Sequence, residues 1–111
     1  MDGDELGQQE ERQWATAMML SLFSAMEKRQ FSYPLEITVR AADGQQVIYK
    51  LPAKGAEPVG ANPGPTLRPP YTISIHESYR GGRRLRVRVT GKLVAGVLQL
   101  SVFDVVQGRS R

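Results

Sequence analysis

The hydrophobic period of this chain changes once, at Pro34, and that change constrains the fold more than any other feature. Before it, apolar residues recur at helical spacing; after it, they alternate with polar ones. A helix that exposes an apolar face and strands that are apolar on one side need each other for burial. The expected class is therefore α+β, with an N-terminal amphipathic helix packed on a five-stranded antiparallel sheet made of two hairpins and a last strand. A strongly bent or barrel-like form of that sheet is open at this point.

Residues 9–30 read as the helix. On a wheel of about 100° per residue, Trp14, Ala25, Met18, Leu22, Ala15, Met26, Met19 and Phe23 share one half, and Leu20 is the large apolar residue outside it. Glu10 and Glu11 near the start, and Lys28 and Arg29 at the end, suit the helix dipole. Proline disfavours helix just before it, so the run should stop short of Tyr33-Pro34. The apolar face is wider than the stripe of about 100° that covers a core. Its excess, with three of the four methionines, leaves room for a subunit interface around Trp14, Met18 and Leu20. A homodimer across a two-fold axis is the expected partner.

Leu35, Ile37, Val39 and Ala41 alternate with Glu36, Thr38 and Arg40, and Val47, Tyr49 and Leu51 resume the pattern after Asp43-Gly44. A two-residue turn would pair wrong faces; a three-residue loop with a bulge at Gly44 pairs Val39 with Val47 and Ile37 with Tyr49. Residues 52–70 hold six of the seven prolines and read as a partly extended spacer, neither helix nor central strand. Tyr71, Ile73 and Ile75 then alternate with Thr72, Ser74 and His76. Leu85, Val87 and Val89 alternate with Arg84, Arg86 and Arg88, and residues 97–106 form the last strand. A three-residue loop at 80–82 would pair Ile75 with Val87, placing Arg86 opposite His76 and Arg88 opposite Ser74. Leu98, Leu100 and Val102 would face the core, leaving Phe103 and Val105 outside, so that either a bulge intervenes or that edge is covered. The 111 residues suit one domain, with residues 1–8 and 107–111 as flexible ends.

Charge is distributed unevenly. Residues 1–30 carry a net −3 and residues 80–111 a net +7, with Asp104 the lone acid of that last third. Arg84, Arg86 and Arg88 lie at alternate positions of one strand, roughly 6.8 Å apart, which is comparable to phosphate spacing along a nucleic-acid backbone. With Arg80, Arg83 and Lys92 they form the candidate site for an anionic partner, either an acidic protein surface or a nucleic acid. No aromatic residue alternates with these arginines, so a base-stacking platform is not supported. The plainer reading is a solvated sheet face whose arginines pair with Glu36 or Glu77.

Catalytic signals are weak. The absence of cysteine excludes disulfides, thiolate catalysis and cysteine-based zinc sites. His76 is the only histidine, so a histidine metal cluster is excluded too, and no Gly-rich phosphate loop is present. Glu36 and Glu77 could act together only if their strands adjoin. No catalytic residue, metal or cofactor is expected. The acidic N-terminus has no secretory character, and no apolar run reaches the roughly 20 residues of a membrane span, so cytoplasmic residence is expected. Three functions follow as expectations: a non-enzymatic binding or assembly module with a basic strand face, a nucleic-acid binder using residues 80–92, and an apolar-ligand domain or enzyme with a cavity between helix and sheet. No family motif is recognised. The element order suits a cystatin-like sheet wrapped on a helix, or a small barrel of the Sm or OB kind.

Overall fold

The computed structural model describes residues 2–60 and 67–105, with side chains from residue 9 onward. One helix, α1 (Asp2–Glu27), precedes six strands: β1 (Leu35–Ala41), β2 (Gln46–Leu51), β3 (Val59–Gly60), β4 (Tyr71–Tyr79), β5 (Gly82–Val94) and β6 (Val97–Asp104). Their spatial order is β3-β2-β1-β4-β5-β6, and all neighbours are antiparallel. The five expected strands are present. The sixth, β3, lies inside the Pro/Gly-rich segment and pairs Val59 with Lys50 and Gly60 with Tyr49. Among the described residues no pairing joins β3 to β6, so the sheet is open and the barrel-like variant does not form. The expectations for residues 107–111, for Val106 and for residues 61–66 of the spacer lie outside the described residues.

The helix is shifted towards the N-terminus relative to residues 9–30. It starts at Asp2 and runs through Gly3 and Gly7 without a break. Residues 1–8, expected to be flexible, are thus helical from Asp2. The helix ends at Glu27, with the Lys28 N–H still donating to the Ser24 carbonyl, and the chain beyond it turns to partners on the sheet. The Ser32 N–H donates to the Glu77 carboxylate at 2.7 Å, and the Pro34 carbonyl accepts from the Ser78 N–H.

The β1–β2 register is the one the side-chain period demands, with Val39 opposite Val47 and Ile37 opposite Tyr49. Gly44 takes φ +95° in the connecting loop, a conformation that strains any residue with a Cβ. The β4–β5 hairpin keeps Ile75 opposite Val87 and Ser74 opposite Arg88, but the extra residue is not in the turn. The turn has two residues, Arg80 and Gly81, and the offset is absorbed by a β-bulge at Arg86, so His76 faces Leu85 and Glu77 faces Arg84. Past the bulge the strand parity inverts. Arg84 lies on the helix side of the sheet and Leu85 on the outer side, contrary to the expected alternation.

The core comprises Trp14, Met18, Leu22 and Ala25 of α1 against Leu35, Ile37, Ile73, Ile75, Val87 and Val89 of the sheet, with Leu51 and Tyr71 at its margin. Val39 and Leu100, expected fully inside, are half-buried. Trp14 packs edge-on to Tyr71, with ring centroids 6.0 Å apart, and lies against Gly91. A Cβ at Gly91 would stand 2.7 Å from both the Trp14 ring and a Leu100 methyl, so the ring requires a glycine there.

Candidate functional site

The backbone of α1 packs against β4, β5 and β6 and stands clear of β1 and β2. The inner face of β1 and β2 therefore has no helix backbone close above it, although Leu35, Ile37, Val47 and Leu51 there are buried. The wide apolar face of α1 divides accordingly. Trp14, Met18, Leu22 and Ala25 point at the sheet, while Ala15, Met19, Phe23 and Met26, further round the wheel, overhang the uncovered half. Between this second row and the inner face of β1 and β2 runs a groove of about 1850 Å³. Ile37, Val39, Val47, Tyr49 and Leu51 line its sheet side, and Phe31, Tyr33, Leu67 and residues of the 54–60 segment complete the lining. Met19 and Phe23 are about half exposed within it. Glu27, Lys28, Arg29 and Lys54 bring charge to its lining. Tyr71, also at the groove, donates its hydroxyl to the Leu67 carbonyl at 2.9 Å; burial, helped by the charge of Glu11, raises its pKa.

At the groove's end lies a cluster built by the bulge at Arg86. Glu77 is 2% exposed on the helix side of β4. Arg84 reaches its Oε1 through Nη2 at 2.5 Å and Nε at 3.2 Å, and Arg86 Nη1 reaches Oε2 at 2.5 Å. Burial pushes the carboxyl pKa up, but the Ser32 N–H and the two arginines outweigh it, and the net shift is downward. Arg86 also donates to the Gln30 carbonyl and lies 5.1 Å from the centroid of the Phe31 ring. The cluster fastens the segment between α1 and β1 to the sheet. At the far edge Arg29 binds Asp104 through Nε at 2.6 Å and Nη2 at 2.9 Å, which lowers the Asp104 pKa and raises that of Arg29.

The candidate anion-binding residues are thus divided between the two faces. Arg84 and Arg86 do not project from the face opposite the helix, as the expected register required; the bulge turns them inward to Glu77. Arg83 is outside but bonded to Glu36 at 2.8 Å. Arg88 and Lys92 are on the outer face and Arg80 is in the turn, all exposed. His76 is on that outer face too; burial and then the nearby Arg83 lower its pKa, Glu36 opposes them, and Arg88 adds a smaller lowering effect. Glu36 and Glu77 occupy adjoining strands but opposite faces, so they form no carboxylate pair. Of the candidate interface residues, Trp14 and Met18 are buried against this chain's own sheet and only Leu20 is exposed.

The sequence reading missed two residues that shape the site. Glu77 follows Tyr71, Ile73 and Ile75 at the same parity, so a charge on the core face of β4 was readable. Gly91 inside a strand pattern is the usual mark of a close approach. Among the described residues no group of three or more His, Cys, Asp or Glu could hold a metal, and no helix is long and apolar enough to cross a membrane. No family model, curated protein or solved structure matches this chain.

Proposed function

We propose that the protein is a non-enzymatic binding module whose groove takes the apolar face of an amphipathic helix from a partner protein. The observation that carries this reading is the divided face of α1, whose row Ala15, Met19, Phe23 and Met26 overhangs an apolar sheet floor across about 1850 Å³. Small-molecule pockets run to about 300–1000 Å³, so the space suits a segment of chain better than a single small ligand. Methionine walls adapt to varied helical surfaces. Lys28 and Lys54, against Glu27, favour acidic flanks on the incoming helix, since Arg29 is already bound to Asp104. The only histidine stands on the other face of the sheet, away from this groove.

The test is methionine-methyl NMR during titration with a synthetic Leu/Glu amphipathic helical peptide. The methyls of Met19 and Met26 should shift in a saturable way, and Phe23→Glu should abolish the shift. No shift at millimolar peptide would overturn the reading. A shift with a long-chain carboxylate but not with the peptide would replace it with apolar-ligand binding.

A second reading rests on the outer face of the sheet. Arg40, Lys50, Arg88 and Lys92 lie there, and Glu36, the only acid on that face among the described strand residues, is already bonded to Arg83. This pattern supports an anionic partner, nucleic acid or acidic protein. For nucleic acid, Arg88→Ala and Lys92→Ala should each flatten the log–log salt dependence of binding by about one unit. Fluorescence anisotropy with short oligonucleotides at two salt concentrations decides it.

A further inference from the structure

The two edges of the sheet are finished differently. The β2 edge is capped by β3, whose Gly60 lies so close that an added Cβ would stand 2.7 Å from the Tyr49 ring. The β6 edge has no neighbour among the described residues. Apart from the inward-pointing Asp104, it lacks the devices that normally keep such an edge from pairing. Its eight residues, VLQLSVFD, contain no lysine, arginine or proline, and its pairing with β5 runs without a bulge. Its only charge, Asp104, is held by Arg29.

The two-residue turn after Val94 makes Val94 and Val97 a hydrogen-bonded pair, and such pairs alternate along an antiparallel ladder. The Val105 N–H bonded to the Arg86 carbonyl confirms the phase. Residues 97, 99, 101 and 103 therefore direct their backbone groups to β5, and Leu98, Leu100, Val102 and Asp104 direct theirs to the open edge. The same even residues carry their side chains on the helix side.

We propose that β6 pairs antiparallel with β6 of a second copy about a two-fold axis through Ser101, joining two sheets into one of twelve strands. In this register Leu100 meets the copy's Val102, and Leu98 meets the copy's Asp104, which stays away from its own counterpart. On the outer side Ser101 meets itself and Gln99 meets Phe103. Apolar residues continue the core beneath both helices, which lie on the same face of the joined sheet. The edge is self-complementary, so one sequence supplies both sides of the contact. Midway along α1, the flank turned away from the groove carries the short, half-buried side chains of Ala17, Ser21 and Ser24.

The test combines sedimentation with single cysteines in a chain that has none. The full chain should sediment as a dimer at micromolar to millimolar concentration. Val102→Pro removes an edge N–H from each copy without touching the ladder to β5, and should weaken the dimer roughly thirtyfold. Its circular dichroism should match the parent's. Val102→Lys, which cannot disturb the backbone, should dissociate the dimer as well. Ser101→Cys should oxidise to a covalent dimer, whereas Gln99→Cys, opposite Phe103 of the copy, should not. A monomer throughout that range, a dimer indifferent to both Val102 variants, or equal cross-linking at 99 and 101 would overturn the proposal.

Discussion

The two halves of the sheet carry the same alternating pattern yet have different surroundings. Over β4 and β5 the helix closes the inner face, and Ile75, Val87 and Val89 are shut off from solvent, while Val102 on the inner face of β6 stays exposed. Over β1 and β2 the inner face lines a groove: Leu35, Ile37, Val47 and Leu51 are buried there, but Val39 and Tyr49 remain partly exposed. Alternation shows which side of a strand is apolar; it does not show what covers that side. Cover here is decided by one aromatic ring and one glycine. Trp14 fits against Gly91 and draws α1 towards β5, leaving the other hairpin beneath an overhang.

The contrast can be broken most forcefully at the ion cluster that fastens the α1–β1 segment to the covered half. Glu77→Ala leaves Arg84 and Arg86 without their buried counter-charge and should cost about 3 kcal/mol in urea unfolding, the low end for a broken buried pair because both arginines keep some contact with water. The same cluster gives an acid limb. The folded Glu77 pKa is depressed, so its stabilisation is complete above the unfolded carboxylate value and is lost as pH falls through the lower folded value. Stability of the parent should therefore drop below about pH 4.3, and Glu77→Gln should flatten that limb. An unchanged limb would show that the carboxylate is not held as described.

A smaller effect is expected where the helix meets the sheet. Gly91→Ala forces a methyl into the Trp14 ring and Leu100, and should cost roughly 1–3 kcal/mol by overpacking. A neutral substitution would mean that Trp14 is not held against β5. The smallest and sharpest test compares the two halves directly. Val87→Ala, in the closed half, should cost roughly 1–3 kcal/mol, and Val39→Ala, on the groove floor, less than about 1 kcal/mol. Equal costs would show the groove closed in solution.

How much of this was legible follows from what each feature depends on. The helix, the five principal strands and the β1–β2 register depend on side-chain period, which the sequence displays. The β4–β5 offset was legible as a count but not as a position. One extra residue between Ile75 and Val87 can sit in the turn or anywhere along the ladder with the same parity at Val87. What places it at Arg86 is the buried carboxylate of Glu77, which gathers two arginines on the helix side. The width of α1's apolar face was likewise readable, while its division between sheet and groove depends on the contact at Gly91. The short β3 was hidden because proline and glycine mask so brief a pairing.

Trp14 is the only tryptophan in the chain, and its place has an optical consequence. Trp14 is 3% exposed and its Nε1 has no partner among the described residues, so its emission should be that of an apolar site. Because the ring lies at the contact between α1 and β5, its colour reports helix docking alone, whereas the sheet itself is followed by circular dichroism. Red-shifted fluorescence with an intact strand signal would identify a state in which the helix has lifted and the sheet persists.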